Sequence, residues 1–162
     1  MSSNKERPHL VVLPEDRANS DLANGFISNV NLLERAIQVL PYERGWQNVV
    51  FKFKSYHLQK MREYPERRIV LLMDFDGQFD SRLSYVENEI PDDLKSRVFV
   101  LGVTSEPEKL RSATGMKFEA IGQALAKDCD ENKKDFWSHE LLTHNEPELV
   151  RLFADVKPFL FH

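Results

Sequence analysis

The segment LLMDFDGQFD, residues 71–80, sets Asp74 and Asp76 one residue apart where an apolar run ends. Two kinds of chemistry suit acids at that point. Asp solvates and shapes the turn after a strand, because its short carboxylate bonds nearby backbone and tolerates left-handed geometry. Asp also binds hard cations: residues two apart on a strand project to one side, so an Asp-x-Asp pair can hold a single ion. Mg²⁺, or Mn²⁺ in its place, fits such a pair, since Mg²⁺ takes carboxylate oxygens at ~2.0–2.1 Å and keeps waters that a substrate phosphate displaces. A third acid, Glu15, closes the run HLVVLPE at 9–15. If the strands carrying these acids are neighbours, the carboxylates repel one another, and one or two divalent ions relieve the repulsion in the manner used for displacement at phosphorus. Asp-x-Asp-Gly alone favours the turn. The acid ending the first strand and the order of the elements favour the ion.

Those elements are legible as periodicities. Residues 9–13 form a short β-branched run stopped by Pro14, and 35–40, 67–73 and 97–103 are further apolar runs of strand length. The run at 67–73 is continuous, as expected for a central parallel strand covered on both faces. Between them, NSDLANGFISNVNLLER places Leu22, Phe26, Val30 and Leu33 at helical spacing, with Asn19, Ser20 or Asp21 as cap. A longer helix over 46–64 carries Trp46, Val50, Phe53, His57, Met61 and Tyr64 as a core stripe, and 79–90 repeats the pattern through Leu83, Val86 and Ile90. Strict alternation of strand and helix predicts an α/β three-layer sandwich with a mostly parallel four-stranded sheet. The whole chain, 1–162, reads as one domain: an α/β core over 9–104 and a helical C-terminal extension over 105–162 packed on it. Trp46 and Trp137 invite base stacking but fall on apolar stripes where packing explains them.

Composition excludes little beyond the extremes. The net charge of −4 argues against indiscriminate coating of nucleic acid, though not against a local basic patch. No apolar run approaches the ~20 residues that span a bilayer. The polar start MSSNKERPHL and the lone Cys129 predict a cytoplasmic address without disulfides. There is no Gly-rich phosphate loop and no Gly-x-Ser-x-Gly elbow, which removes P-loop hydrolysis and acyl transfer.

In an open parallel sheet, ligands bind beyond the carboxyl ends of the strands, which widens the candidate set. Asp16 is either a further metal ligand or a helix cap; Asp80, at the start of the helix after the motif, divides the same way. Glu106 and Glu108 follow the fourth strand and either reach the cluster or favour the dipole of the next helix. Arg17, Lys109 and Arg111 lie in loops on this edge, where a cation would hold a scissile phosphate, and Lys109 is counted with Glu15, Asp74 and Asp76 as a catalytic candidate. Lys52, Lys54, Lys60 and Arg62 make one side of the 46–64 helix basic and would follow a strand of DNA or RNA. His139 and His144, five apart, do not share a helix face as zinc ligands would.

Glu15 after the first strand, and Asp74-Phe75-Asp76 after the third of four strands joined by helices, resemble the TOPRIM domain of topoisomerases, primases and overcoming-lysogenization-defect nucleases. The resemblance covers roughly residues 9–104. It implies Mg²⁺-dependent phosphodiester chemistry on nucleic acid, with Glu15 matching the motif glutamate and Asp74 and Asp76 the motif aspartates. A looser likeness, through Pro14-Glu15-Asp16-Arg17-Ala18-Asn19 and Ser105-Glu106-Pro107-Glu108, is to small free-standing bacterial proteins. Asp16 stands where the family commonly has Gly, and no Tyr is singled out as a strand-transfer nucleophile. A nuclease, or a subunit of one acting with a partner protein, therefore fits better than a topoisomerase. The alternatives are a TOPRIM-like scaffold that binds without cutting and, less well matched, a haloacid-dehalogenase-like phosphatase with Asp74 as nucleophile and Asp76 as acid. That phosphatase motif normally opens on the first strand, with Thr or Val where Gln78 stands here.

Overall fold

The computed structural model describes residues 2–162 and is an α/β sandwich around one four-stranded sheet. Strands β1 (His9–Pro14), β2 (Ile37–Val39), β3 (Arg67–Leu72) and β4 (Val98–Leu101) are all parallel, in the order β2-β1-β3-β4. Every residue of β1 is buried, as a strand flanked by neighbours and covered on both faces requires. Its alternation divides the core. Val11 and Leu13 join Ile69, Leu71, Val98 and Val100 on one face, while Leu10 and Val12 join Val70, Phe99 and Leu101 on the other.

The first face is covered by helices α2 (Trp46–Lys52), α3 (Leu58–Glu63) and α4 (Phe79–Asn88). Between α2 and α3, residues Phe53–His57 wind as a π-turn, so 46–63 is one continuous helix with one wide turn. Of the predicted stripe Val50, Phe53, His57 and Met61 are buried and Trp46 and Tyr64 half-buried, while Val49 is buried as well. The second face is covered by α1 (Arg17–Ile27) and α7 (Glu146–Leu160). Helices α5 (Pro107–Thr114) and α6 (Phe118–Asp130) pack outside α1, around Leu22, Leu110, Ile121 and Leu125. The crossing of α1 and α6 is glycine-lined: a methyl on Gly122 would lie 2.0 Å from the Leu22 carbonyl oxygen, and one on Gly25 2.1 Å from that of Glu119. No helix among the described residues is long and apolar enough to cross a membrane.

Several expected boundaries shift. Helix α1 starts earlier and stops earlier than the apolar spacing suggests. Its cap is Asp16, whose carboxylate accepts from the Asn19 backbone N–H, and not Asn19, Ser20 or Asp21. It ends at Ile27, where the Ser28 N–H and hydroxyl both bond the Gly25 carbonyl. Val30 and Leu33 consequently fall outside it, at 88% and 38% exposure, and are not core. The run at 35–40 contributes only the three residues of β2 at the sheet edge. FWSHELLTHN, expected to be helical, is mostly turns with a 3₁₀ turn at Thr143–Asn145. That segment anchors β4 instead: Asn145 brackets the N–H and carbonyl of Gly102, and His144 Nε2 lies 2.6 Å from the same carbonyl oxygen.

Candidate metal centre

The sheet order decides which acids meet. The chain runs from β1 outward to β2, then returns across β1 to β3, so the connections after β1 and β3 leave toward opposite faces: α1 lies on one, α4 on the other. A crevice opens between the carboxyl ends of strands where the winding reverses in this way. Pro14 pairs with Leu72 in register, and the Glu15 N–H continues the ladder to the Leu72 carbonyl at 2.8 Å. Glu15 and Asp74 therefore stand side by side at the mouth of that crevice, with the Asp74 N–H 3.3 Å from Glu15 Oε1.

Asp16 is the third member. One carboxylate oxygen from each of Glu15, Asp16 and Asp74 lies within 4.8 Å of the other two. Glu15 and Asp74 are buried and Asp16 is half-buried. Asp16 caps α1 as well as facing the cluster, so the two readings of this residue coexist. Asn19 is the organiser. Its Nδ2 donates to Asp16 Oδ1 at 2.9 Å and to Asp74 Oδ1 at 2.8 Å, while its own Oδ1 is sealed from solvent without a donor.

No ion pair among the described residues involves Glu15, Asp16 or Asp74. The consequence is electrostatic strain. Burial, then the adjacent charge of Asp74, pushes the Glu15 carboxyl up to about 8. Burial also raises Asp74, to about 6, against the pull of the Asn19 amide. Both carboxyls are thus pushed upward together, so the pair holds a proton more readily near neutral pH than free carboxyls do. An all-oxygen donor set, buried and lacking a basic partner, suits a hard divalent cation.

Asp76 is not in this cluster. The β3 ladder ends at Leu72, and Asp76 adopts a left-handed φ of 49° followed by Gly77 at 75°, closing a turn in which the Gln78 N–H bonds the Phe75 carbonyl at 2.7 Å. The same-side projection expected of an Asp-x-Asp pair needs extended backbone through residue 76, which this turn interrupts. Asp76 instead takes the Arg82 guanidinium at 2.5 Å. Arg82 also donates to the Asp74 carbonyl at 2.9 Å and stacks over Trp46 at 4.5 Å. Sequence inspection missed Arg82; a basic residue one turn into the helix after an acidic loop was the available signal.

The remaining candidates are scattered. Asp80 is exposed in the first turn of α4, where Gln78 holds the cap position. Glu106 occupies the cap position of α5 without a capping bond, and Glu108 is exposed beside it. Arg17 and Lys109 are exposed, and Arg111, also exposed, lies over Phe118 at 4.7 Å. On the basic helix, Lys54 pairs with Glu89, Lys60 with Glu63 and Arg62 with Asp93, while Lys52 lies over Tyr56.

Comparison of the chain with protein-family models, with curated proteins and with solved structures returns no significant match. The reading of the site therefore rests on its geometry.

Proposed function

We propose that this protein is a Mg²⁺- or Mn²⁺-dependent phosphodiesterase acting on nucleic acid. The observation that carries the reading is the convergence of Glu15, Asp16 and Asp74 at the reversal point of the sheet, two of them buried and none paired with a basic side chain among the described residues. Those three residues would hold the ion. When bound, a divalent ion of this type polarises a phosphoryl oxygen and lowers the pKa of a coordinated water. Asn19 fixes the two aspartates through its paired N–H bonds, so the cluster is held in place before any ligand arrives. Glu15 would hold the ion as a carboxylate, any proton on it passing to solvent. Asp76 and Arg82 face one another at the rim; an arriving phosphate competes with Asp76 for the guanidinium, which releases Asp76 toward the cluster and places a forked donor on the phosphate. Arg17, Lys109 and Arg111 are exposed cations expected on the same edge.

The test is incubation with Mn²⁺ or Mg²⁺ and single- and double-stranded DNA and RNA. Cleavage that disappears in Asp74→Asn, with the variant still folded, supports the proposal. Saturable Mn²⁺ uptake with no cleavage of any of the four substrates would refute the hydrolytic part. One feature favours a second reading, a binding subunit that does not cut: three of the four cations on the basic helix already hold acids, leaving little free charge to follow a strand.

A further inference from the structure

The opposite edge of the sheet carries the inverse electrostatic problem. At the amino-terminal ends of β1 and β3, about 20 Å from the acids by a rise of ~3.3 Å per residue, His9, His57 and Arg67 are buried, the last two at 5% and 6% exposure. His9 Nδ1 lies 2.8 Å from the Arg7 carbonyl oxygen, which fixes a proton on that nitrogen. Its Nε2 therefore accepts, and the donor is Arg67 Nε at 3.0 Å. This is the one hydrogen bond of the Arg67 side chain. No carboxylate pairs with it among the described residues, and its two Nη atoms have no acceptor there although they are not sealed from solvent.

The surroundings repeat the pattern. The guanidinium lies over the Tyr64 ring at 5.1 Å, and Lys5 lies over the same ring at 5.3 Å. His57, turned inward by the π-turn, stands edge-on to Tyr56 with ring centroids 5.0 Å apart and makes no hydrogen bond; its Nδ1 is buried without a partner. Lys52 lies over Tyr56 at 5.1 Å and forms no ion pair. Glu63, an acid whose charge reaches Arg67, is held by Lys60.

A buried charge is costly unless something pairs with it, and a strand position needing only bulk would hold an aliphatic side chain. An open guanidinium fork matches two oxygens of one anion. We propose that Arg67, with His57 behind it and Lys5 and Lys52 at the rim, binds a phosphate group. A tetrahedral dianion suits the setting, because Lys5 lies over the same Tyr64 ring as the guanidinium, Lys52 lies over the adjacent Tyr56, and Glu63 is already held by Lys60. Two sources present that chemistry, a free phosphate ester and the terminal phosphate of a nucleic-acid strand. The inference stands on residues remote from the acid cluster and survives or fails without it.

The experiment is a ³¹P line-broadening titration with inorganic phosphate in EDTA, chloride exchanged to hold ionic strength constant, with thermal melts in parallel. Binding is expected to saturate and to raise the melting temperature. Arg67→Lys keeps the charge but loses the fork, and should weaken binding at least tenfold. Because a buried variant can misfold, Lys5→Ala with Lys52→Ala, both at exposed positions, gives the independent check: several-fold weaker binding with an unchanged melt. No saturable effect of phosphate, or the same affinity in folded Arg67→Lys and in the double variant, overturns the proposal. A 5′-phosphorylated oligonucleotide binding more tightly than its 5′-hydroxyl counterpart identifies a strand end as the source; equal binding identifies a free ester.

Discussion

Replacing Glu15 by Gln should stabilise the protein at neutral pH while damaging its proposed site. The Glu15 carboxyl titrates near 8 in the folded chain against an ordinary 4.5, so between those values the folded state binds more protons than the unfolded state. Stability then falls as pH rises through that window, by linkage. At pH 7 the penalty is the cost of holding protonated a group that would ionise 2.5 units lower, about 3 kcal/mol at ~1.4 kcal/mol per unit. Gln removes the penalty and keeps a carbonyl oxygen to accept from the Asp74 N–H, as Oε1 does now. The expected gain is about 2–3 kcal/mol at pH 7, or roughly 5–10 °C in melting temperature for a chain of this size. At pH 5 the gain should shrink below about 1 kcal/mol, because that pH lies only half a unit above the 4.5 at which Glu15 ionises in the unfolded chain. Urea unfolding of both proteins from pH 4.5 to 9, in EDTA, measures the difference directly. A gain that is absent at pH 7.5, or equal at pH 5 and pH 8, would refute the picture of a carboxyl pair pushed upward together.

Mn²⁺ should stabilise the wild-type protein saturably, by about 2.7 kcal/mol at a hundred times the dissociation constant, and calorimetry should find the uptake lost in Asp74→Asn. Arg82→Ala removes the partner of Asp76 and should strengthen Mn²⁺ uptake severalfold in the same titration, since a rim carboxylate is freed beside the cluster. Gly122→Ala should cost about 3 kcal/mol in urea unfolding despite the usual helix preference for Ala, because its methyl meets the Leu22 carbonyl across the α1–α6 crossing. His57, pushed down to about 4 by burial, binds fewer protons folded than unfolded, so its contribution is lost as pH falls from 6.5 toward 4. In a Glu15→Gln background, where the opposing slope is gone, His57→Leu should flatten the unfolding midpoint over pH 4.5–6.5.

The difference between Asp74 and Asp76 shows what sequence can carry. Strand ends are legible because a parallel sheet maps each apolar run onto one edge; the burial that makes 67–73 a continuous apolar run also makes it central, and a central β3 beside β1 brings Asp74 to Glu15. Asp76 lies beyond the ladder, where conformation is set by Gly77 and not by strand periodicity, so a same-side argument that holds at residue 74 fails two residues later. The cap of α1 moved for a related reason. Asn19, Ser20 and Asp21 are all good capping types, but the chain enters the helix directly from Pro14-Glu15, and Asp16 is the side chain placed to accept from the N–H of Asn19 in the first turn. Asn19 then became free to bridge two carboxylates.

His9, His57 and Arg67 were hidden for the opposite reason. His57 sits at core spacing and is core, Arg67 reads as the polar start of a strand, and nothing local marks 9, 57 and 67 as neighbours until the register places His9 against Arg67. A parallel strand has two ends, and in this sheet they bury groups of opposite kind: carboxyls where β1 and β3 finish, a guanidinium and two imidazoles where they begin. Neither group is neutralised by its own neighbours, and the two lie too far apart to neutralise each other through a low-dielectric core without heavy loss. If the two proposals hold, each edge takes a mobile counter-charge of its own, a cation at one and an anion at the other, and swapping either set for neutral isosteres should stabilise the fold at the expense of what it binds.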